Sequence, residues 1–330
     1  MPEEYIKALP DSVIPVYWDY YSDEYANYDN MFYNHAQLSS KTWFVGGAWT
    51  WGGFAPHNNA SIKCTPPAIK AAKEYGINDI FITMWGDNGS ECSKYSILPT
   101  LFFISEQVKG NTDMERIKKN FEKMFGIAFD EFMLLDKPNE VAMPENAAFP
   151  VNPCKYMLYS DPFLGFLDST VKQGEGAKYV EYSAKLKAVA KKTRKYGYLF
   201  DTMAKLCDVL YDKYELGVKT REAYKADDKA ELARLANEEY ARVEANFKAF
   251  IKAFEKQWMK ENKPQGFEVQ HHRLGGLLYR MGYCRRALLD YSQGKVASIP
   301  KLEEDILTLK KDNESIYLNF YGRSYTSSAV

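Results

Sequence analysis

Residues 80–85 read IFITMW, a short apolar run rich in β-branched and aromatic side chains, followed by Gly86-Asp87 and then by a helical pattern over residues 96–108. A run this short, bounded by a turn signal and a helix, predicts a buried strand in a βα unit. The same arrangement recurs twice toward the amino terminus. Residues 43–49 (WFVGGAW) lead through a loop to a helix predicted over residues 67–75, and residues 13–17 (VIPVY) precede one predicted over 23–38. Short strands alternating with helices indicate a parallel sheet. Pro15 lacks a ladder donor, so the first strand is expected at an edge or a bulge. Three βα units do not close a barrel, which takes eight, and three strands alone leave two edges unpaired. The expectation for residues 1–110 is therefore the C-terminal part of a (β/α)8 TIM barrel, carrying about three of its βα units.

Beyond residue 110 the pattern becomes all-α. Residues 113–125 predict a helix capped by Thr112, with Glu115 three residues later. Residues 137–166, rich in Pro and Asn with aromatics between them, predict an ordered connection, and from Ala177 onward nearly everything predicts helix. Leu232, Leu235, Tyr240, Val243, Phe247, Phe250 and Phe254 fall mostly at three- and four-residue steps, with charges on the other face. That is the core stripe of a helical bundle. Residues 111–330 are expected to form a mostly helical domain.

Composition narrows the classes of function. The 330 residues are 46% hydrophobic and 26% charged with a net charge of -1, which is globular and gives no reason to expect nucleic acid or a membrane as partner. The opening MPEEY has neither a basic nor an apolar signal region, so secretion is not expected. The five cysteines form no CxxC pair and are odd in number, which suits a reducing cytoplasm better than a disulfide framework. Gly46-Gly47 and Gly52-Gly53 lack the spacing of a phosphate loop, and no metal spacing occurs, so neither a cofactor nor a metal is expected.

Five of the six tryptophans lie in the first 85 residues, and Trp18, Trp49 and Trp85 fall at or just beyond the carboxyl ends of the predicted strands. Barrel active sites are built at that end. A flat indole covers the C–H face of a pyranose; the alternative is that these side chains fill a core. Acids stand beside them in Tyr17-Trp18-Asp19 and in Trp85-Gly86-Asp87, with Asn88 and Glu91 close behind. A carboxylate there accepts hydrogen bonds from sugar hydroxyls. The alternatives are that Asp19 and Asp87 cap helices and that Glu91 supports its loop. His57, in the second βα loop, is expected as a solvated loop residue, the alternative being that it lines the pocket, and His271 and His272 as structural residues on a helix.

Tyr17-x-Asp19 and Trp85-Gly-Asp87 are similar to two signatures of glycoside hydrolase family 20, the β-N-acetylhexosaminidases. The stretches VYWDYYS, FVGGAWTWGGFAP, WGDNGSECS, NPCKYMLYSDPFLGFLD and FEVQHHRLGGLLYR, in that order, resemble its cytoplasmic exo-hexosaminidase branch over nearly the whole chain. The resemblance implies a retaining exo-enzyme that removes terminal β-linked N-acetylglucosamine or N-acetylgalactosamine from oligosaccharides or glycoconjugates. It implies that Tyr17 contacts the acetamido oxygen, that Asp19 and Asp87 bind the O4 and O6 side, and that Trp85 walls the pocket. Asp87 stands where other branches carry Glu. The family's catalytic Asp-Glu pair follows His-x-Gly-x; its Glu is the general acid and its Asp orients the acetamido nucleophile of substrate-assisted retention. The two Asp-Glu pairs here lack that context. Asp23-Glu24 reads as the first turn of a helix, and Asp130-Glu131 follows GIAF. The general acid is expected outside this chain, on strands preceding Met1. The rival expectations are a non-catalytic carbohydrate-binding module and a module for homodimerisation.

Overall fold

The computed structural model describes Glu4, Pro10 and residues 12–39, 41–143 and 151–306. They fall into two compact units. A sheet-bearing unit takes the described residues of Met1–Trp51, Pro56–Trp85 and Lys94–Met133; a helical unit takes those of Gly52–Ala55, Gly86–Ser93 and Leu134–Val330. The described residues are mostly helical and include one three-stranded parallel sheet.

In the sheet-bearing unit β1 (Val16–Trp18), β2 (Trp43–Gly47) and β3 (Ile80–Thr83) lie in sequence order, each parallel to the next. β1 begins only after Pro15, whose ring removes the amide; the Pro15 carbonyl still accepts from the Trp43 amide at 3.0 Å. Proline thus adjoins an edge strand, where the missing donor is tolerated. Helices α1 (Tyr25–Ala36) and α2 (Asn58–Glu74) pack on the strands. Tyr17 and Phe44 are paired in register, and Phe32 of α1 stands edge-on to both, at 5.4 and 5.6 Å between ring centroids. With Tyr28, Ala68, Ala71, Ala72 and Ile77 they form a buried core. The pleat sends Val16, Trp18 and Phe81 to the opposite face, where they are 42%, 53% and 47% exposed. Parallel sheets are ordinarily covered on both faces. Among the described residues, this one leaves an apolar face and both outer edges open.

Local departures from the sequence reading have tertiary causes. α2 starts at Asn58, well ahead of the expected Pro67, and runs through Pro66 and Pro67. Two prolines forfeit ladder bonds, but Asn58, Ser61 and Thr65 are buried and anchored. Asn58 Nδ2 donates to the Ser96 carbonyl at 3.0 Å, Thr100 Oγ1 donates to Asn58 Oδ1 at 2.9 Å, and Ser61 Oγ accepts from the Trp49 amide at 3.0 Å. α1 starts at Tyr25, so Asp23 and Glu24 precede it instead of forming its first turn; Asp23 pairs with Lys63. α3 (Leu98–Val108) lies in the span expected of it. α4 (Met114–Phe125) is capped by Asp113, not Thr112: Asp113 Oδ1 accepts from the amides of Glu115 and Arg116 at 3.0 and 3.2 Å. A carboxylate satisfies both orphan amides and complements the helix dipole. A short α5 (Phe129–Phe132) follows.

The helical unit contains α6 (Pro153–Tyr159), α7 (Ala177–Lys192), α8 (Gly197–Tyr214), α9 (Leu216–Lys225), α10 (Lys229–Leu235), α11 (Ala241–Glu261), α12 (Phe267–Ser292) and α13 (Pro300–Glu303). α8 packs against α6, α7 and α11. Every member of the stripe from Leu232 to Phe254 is buried, as the pattern predicts. Its five-residue step from Leu235 to Tyr240 falls on a π-helical turn, Ala236–Tyr240, between α10 and α11. One extra residue in that turn keeps both side chains on the buried side. The Ala236 carbonyl accepts from Arg285 Nε at 2.9 Å. No helix among the described residues is long and apolar enough to cross a membrane.

These differences in enclosure predict an order of local stability. Amides of residues 232–254 are expected to exchange slowly, and those of Val16–Trp18 and Ile80–Thr83 fast. Limited proteolysis is expected to cut first within residues 1–110. Protected strands beside labile helices would show instead that the sheet is self-sufficient.

Candidate functional site

At the carboxyl end of the sheet the fold brings Trp18 and Trp85 together. Their ring centroids are 5.5 Å apart with planes tilted by 34°, and both rings reach solvent. Trp85 Nε1 donates to the Tyr20 hydroxyl at 2.8 Å. Tyr20 stands edge-on to Trp18 and Trp51, at 5.9 and 5.2 Å. This approach needs the glycine that ends β2: a Cβ on Gly47 would lie 2.7 Å from the Tyr20 ring and 2.9 Å from that of Trp51. Lys94 secures the end of β3. Its Nζ donates to Thr50 Oγ1 and to the Met84 carbonyl, both at 2.8 Å, and to the Trp85 carbonyl. Two solvent-facing indoles with a hydroxyl beside them offer the mixed apolar and polar surface that a pyranose ring requires.

The other sequence candidates in this unit have different surroundings. Trp49 is 1% exposed, stacks on Trp51 at 4.4 Å and donates from Nε1 to the Trp51 carbonyl at 2.9 Å. Tyr17 lies in the core beside α1. Its hydroxyl donates to Asp19 Oδ2 at 2.6 Å and accepts from Asn27 Nδ2 at 3.1 Å. Burial, and then the Asp19 carboxylate, push that hydroxyl well above the usual tyrosine pKa. Asp19 Oδ2 also accepts from Asn27 at 3.0 Å, and Oδ1 accepts from the amides of Tyr21 and Ser22 at 2.8 and 3.2 Å. Those donors occupy a carboxylate's acceptor positions and are the loop-capping arrangement. His57 is buried rather than solvated, with its ring edge-on to Trp49 at 5.4 Å; nothing in its local sequence signals this. Asp130 is exposed and pairs with Lys118 at 2.8 Å.

In the helical unit Asp87 is exposed, and its main-chain oxygen accepts from the Gly52 amide at 3.1 Å. Glu91 is fully buried. Lys155 Nζ lies 2.7 Å from Glu91 Oε2, with both side chains inaccessible to solvent, and Arg273 Nη1 lies 3.6 Å from Oε1. Burial raises the Glu91 pKa and lowers that of Lys155, against the attraction between them. Neither Lys155 nor Arg273 is singled out by the sequence reading; the signals present are the single lysine inside the apolar run PCKYMLY and the position of both residues within blocks that resemble family 20. His271 and His272 lie on α12. No group of His, Cys, Asp and Glu among the described residues could hold a metal ion, and all five cysteines are free thiols. Residues 130–318 match the family described as Glycoside Hydrolase 20C C-terminal domain. No curated protein matches the chain.

Proposed function

The chain belongs to glycoside hydrolase family 20, because the matched domain covers more than half of its 330 residues, and from that premise we propose that it is the C-terminal portion of a retaining exo-β-N-acetylhexosaminidase. The observation that carries this reading is the parallel sheet with an open apolar face and two open edges, bearing Trp18 and Trp85 at its carboxyl end. That face is what the lumen of a (β/α)8 barrel presents before its remaining strands are added. Those strands, with the Asp-Glu pair, come from sequence outside these 330 residues.

The intact enzyme removes terminal β-linked N-acetylglucosamine or N-acetylgalactosamine. The substrate's acetamido group attacks the anomeric carbon while the Glu of the pair protonates the leaving oxygen. Trp18 and Trp85 wall the sugar, and buried Trp49 backs the loop behind them. Asp87, two residues after Trp85 in the chain, takes hydroxyls on the O4 and O6 side. Tyr17 lies on the α1 face of the sheet, opposite Trp18, so it meets the acetamido oxygen only if its side chain leaves that core, and Asp19 supports the loop as well as the ligand. Glu91 acts through its ion pair, away from the ligand. Free thiols throughout suit action in a reducing cytoplasm.

Purified chain is expected to leave a chromogenic N-acetyl-β-glucosaminide uncleaved. Loss of a general acid alone lowers rates about 10²–10⁴-fold, and the orienting Asp is lost with it. Fusion to an upstream segment carrying His-x-Gly-x-Asp-Glu should create turnover that Asp87→Asn lowers. Turnover by the chain alone, abolished by Glu131→Gln, would place the acid here and end the partial-barrel reading.

A further inference from the structure

The loop Gly86–Ser93 carries Asp87 and belongs to the helical unit. Its backbone is unusual: Asn88, Gly89 and Ser90 follow one another at φ 62°, 122° and 50°. Non-glycine residues rarely occupy that region, and they stay there only where surrounding groups hold them. The holding groups come from α6 and α12. Lys155 Nζ and Arg273 Nη1 both donate to the Asn88 carbonyl, at 3.0 and 2.9 Å. Gln270 Nε2 donates to the Gly89 carbonyl at 2.9 Å. The two cations are retained by one buried carboxylate, Glu91, from the same loop. The fit leaves no slack: a Cβ on Gly89 would lie 2.7 Å from Arg273 Nη1 and 2.8 Å from Gln270 Nε2.

Each contact addresses a main-chain carbonyl in the two residues after Asp87, and the anchoring acid lies four residues beyond it in the chain. A loop made for solvent would not bury a carboxylate and a lysine against each other, since desolvation opposes both charges. We propose that Lys155, Gln270 and Arg273 are positioning residues that fix the Gly86–Ser93 backbone and thereby set where the Asp87 carboxylate stands. That Asp87 then meets a sugar rests on the glycosidase reading above; that the helices fix the loop does not.

The test is made on the whole chain, because two amides report on the loop without any ligand. The Ser90 amide donates to the Gly86 carbonyl at 2.9 Å, and the Gly52 amide donates to the Asp87 carbonyl. In Arg273→Met and in Gln270→Leu their hydrogen exchange should accelerate about ten- to a hundredfold, with amides of residues 243–254 unchanged as evidence of an intact bundle. Should either variant fail to fold, Gln270→Met, which keeps the length of the side chain and removes only its donor to the Gly89 carbonyl, should give the same local acceleration. Unchanged exchange at Ser90 and Gly52 in a folded variant overturns the proposal. Quenching of tryptophan fluorescence by N-acetylglucosamine supplies the second readout. Weaker titration in Arg273→Met and in Asp87→Asn alike supports positioning of Asp87. A loosened loop with wild-type titration, where Asp87→Asn does weaken it, overturns that positioning. No titration by any form removes the sugar reading for the chain alone, and the exchange rates then decide whether the helices fix the loop.

Discussion

Lys155→Met is expected to destabilise the helical unit by about 3–5 kcal/mol, the usual cost of leaving a buried charge without its partner. The substitution removes the cation 2.7 Å from Glu91, a carboxylate inaccessible to solvent, and the donor to the Asn88 carbonyl. Arg273 remains, but at 3.6 Å it offsets only part of the loss. Glu91 must then ionise in an apolar surrounding or take up a proton, and either route costs free energy. The double variant Lys155→Met with Glu91→Leu should recover most of the stability, because two apolar side chains of similar volume carry no desolvation penalty. Urea unfolding followed by far-ultraviolet circular dichroism distinguishes the cases. Equal losses in the single and double variants would show that Lys155 acts through its bond to Asn88 and its packing, with little coupling to Glu91.

Lys213 should make stability depend on pH in the alkaline range. It is buried in α8, where its Nζ donates to the carbonyls of Met157, at 3.0 Å, and Ser160, at the end of α6. Burial outweighs the attraction of Asp161 and lowers its pKa from 10.5 to about 8. Below pH 8 the amine is protonated both folded and unfolded, so it adds no pH dependence. Between pH 8 and 10.5 the unfolded chain holds the proton and the folded chain does not, so this group makes stability rise with pH. Above 10.5 the effect is constant. The stability of wild type relative to Lys213→Met should increase by about 2.5 kcal/mol from pH 7 to pH 10. Comparing the two proteins cancels the opposing titration of buried tyrosines and thiols. A difference that stayed flat, or moved against wild type, would mean that Lys213 keeps its charge, stabilised by the carbonyls at the end of α6.

Much of the fold is legible along the chain because hydrophobic periodicity is local. The runs at residues 43–49 and 80–85 give β2 and β3, and the stripe from Leu232 to Phe254 gives the buried side of α10 and α11. Even the π-helical turn is foreshadowed by the irregular step from Leu235 to Tyr240. The start of α2 is not legible, because local rules make Pro66 and Pro67 an ending while Ser96, Thr100 and Trp49 hold the segment helical from elsewhere.

The sequence by itself determined the alternation of strands and helices, the change to all-α structure, the need for an edge or a bulge at Pro15, and the ordered blocks that resemble family 20. Each is carried by neighbours within a few turns or strands. Only the tertiary structure decided which candidates face solvent. Trp18 and Trp85 show their rings, whereas Trp49 lies under Trp51. Asp19 is occupied by donors from β1, its own loop and α1, and Glu91 by Lys155. A carboxylate's role depends on which donors reach it through space, and Lys155 and Arg273 reach Glu91 from distant parts of the sequence. No period or spacing encodes a contact of that kind.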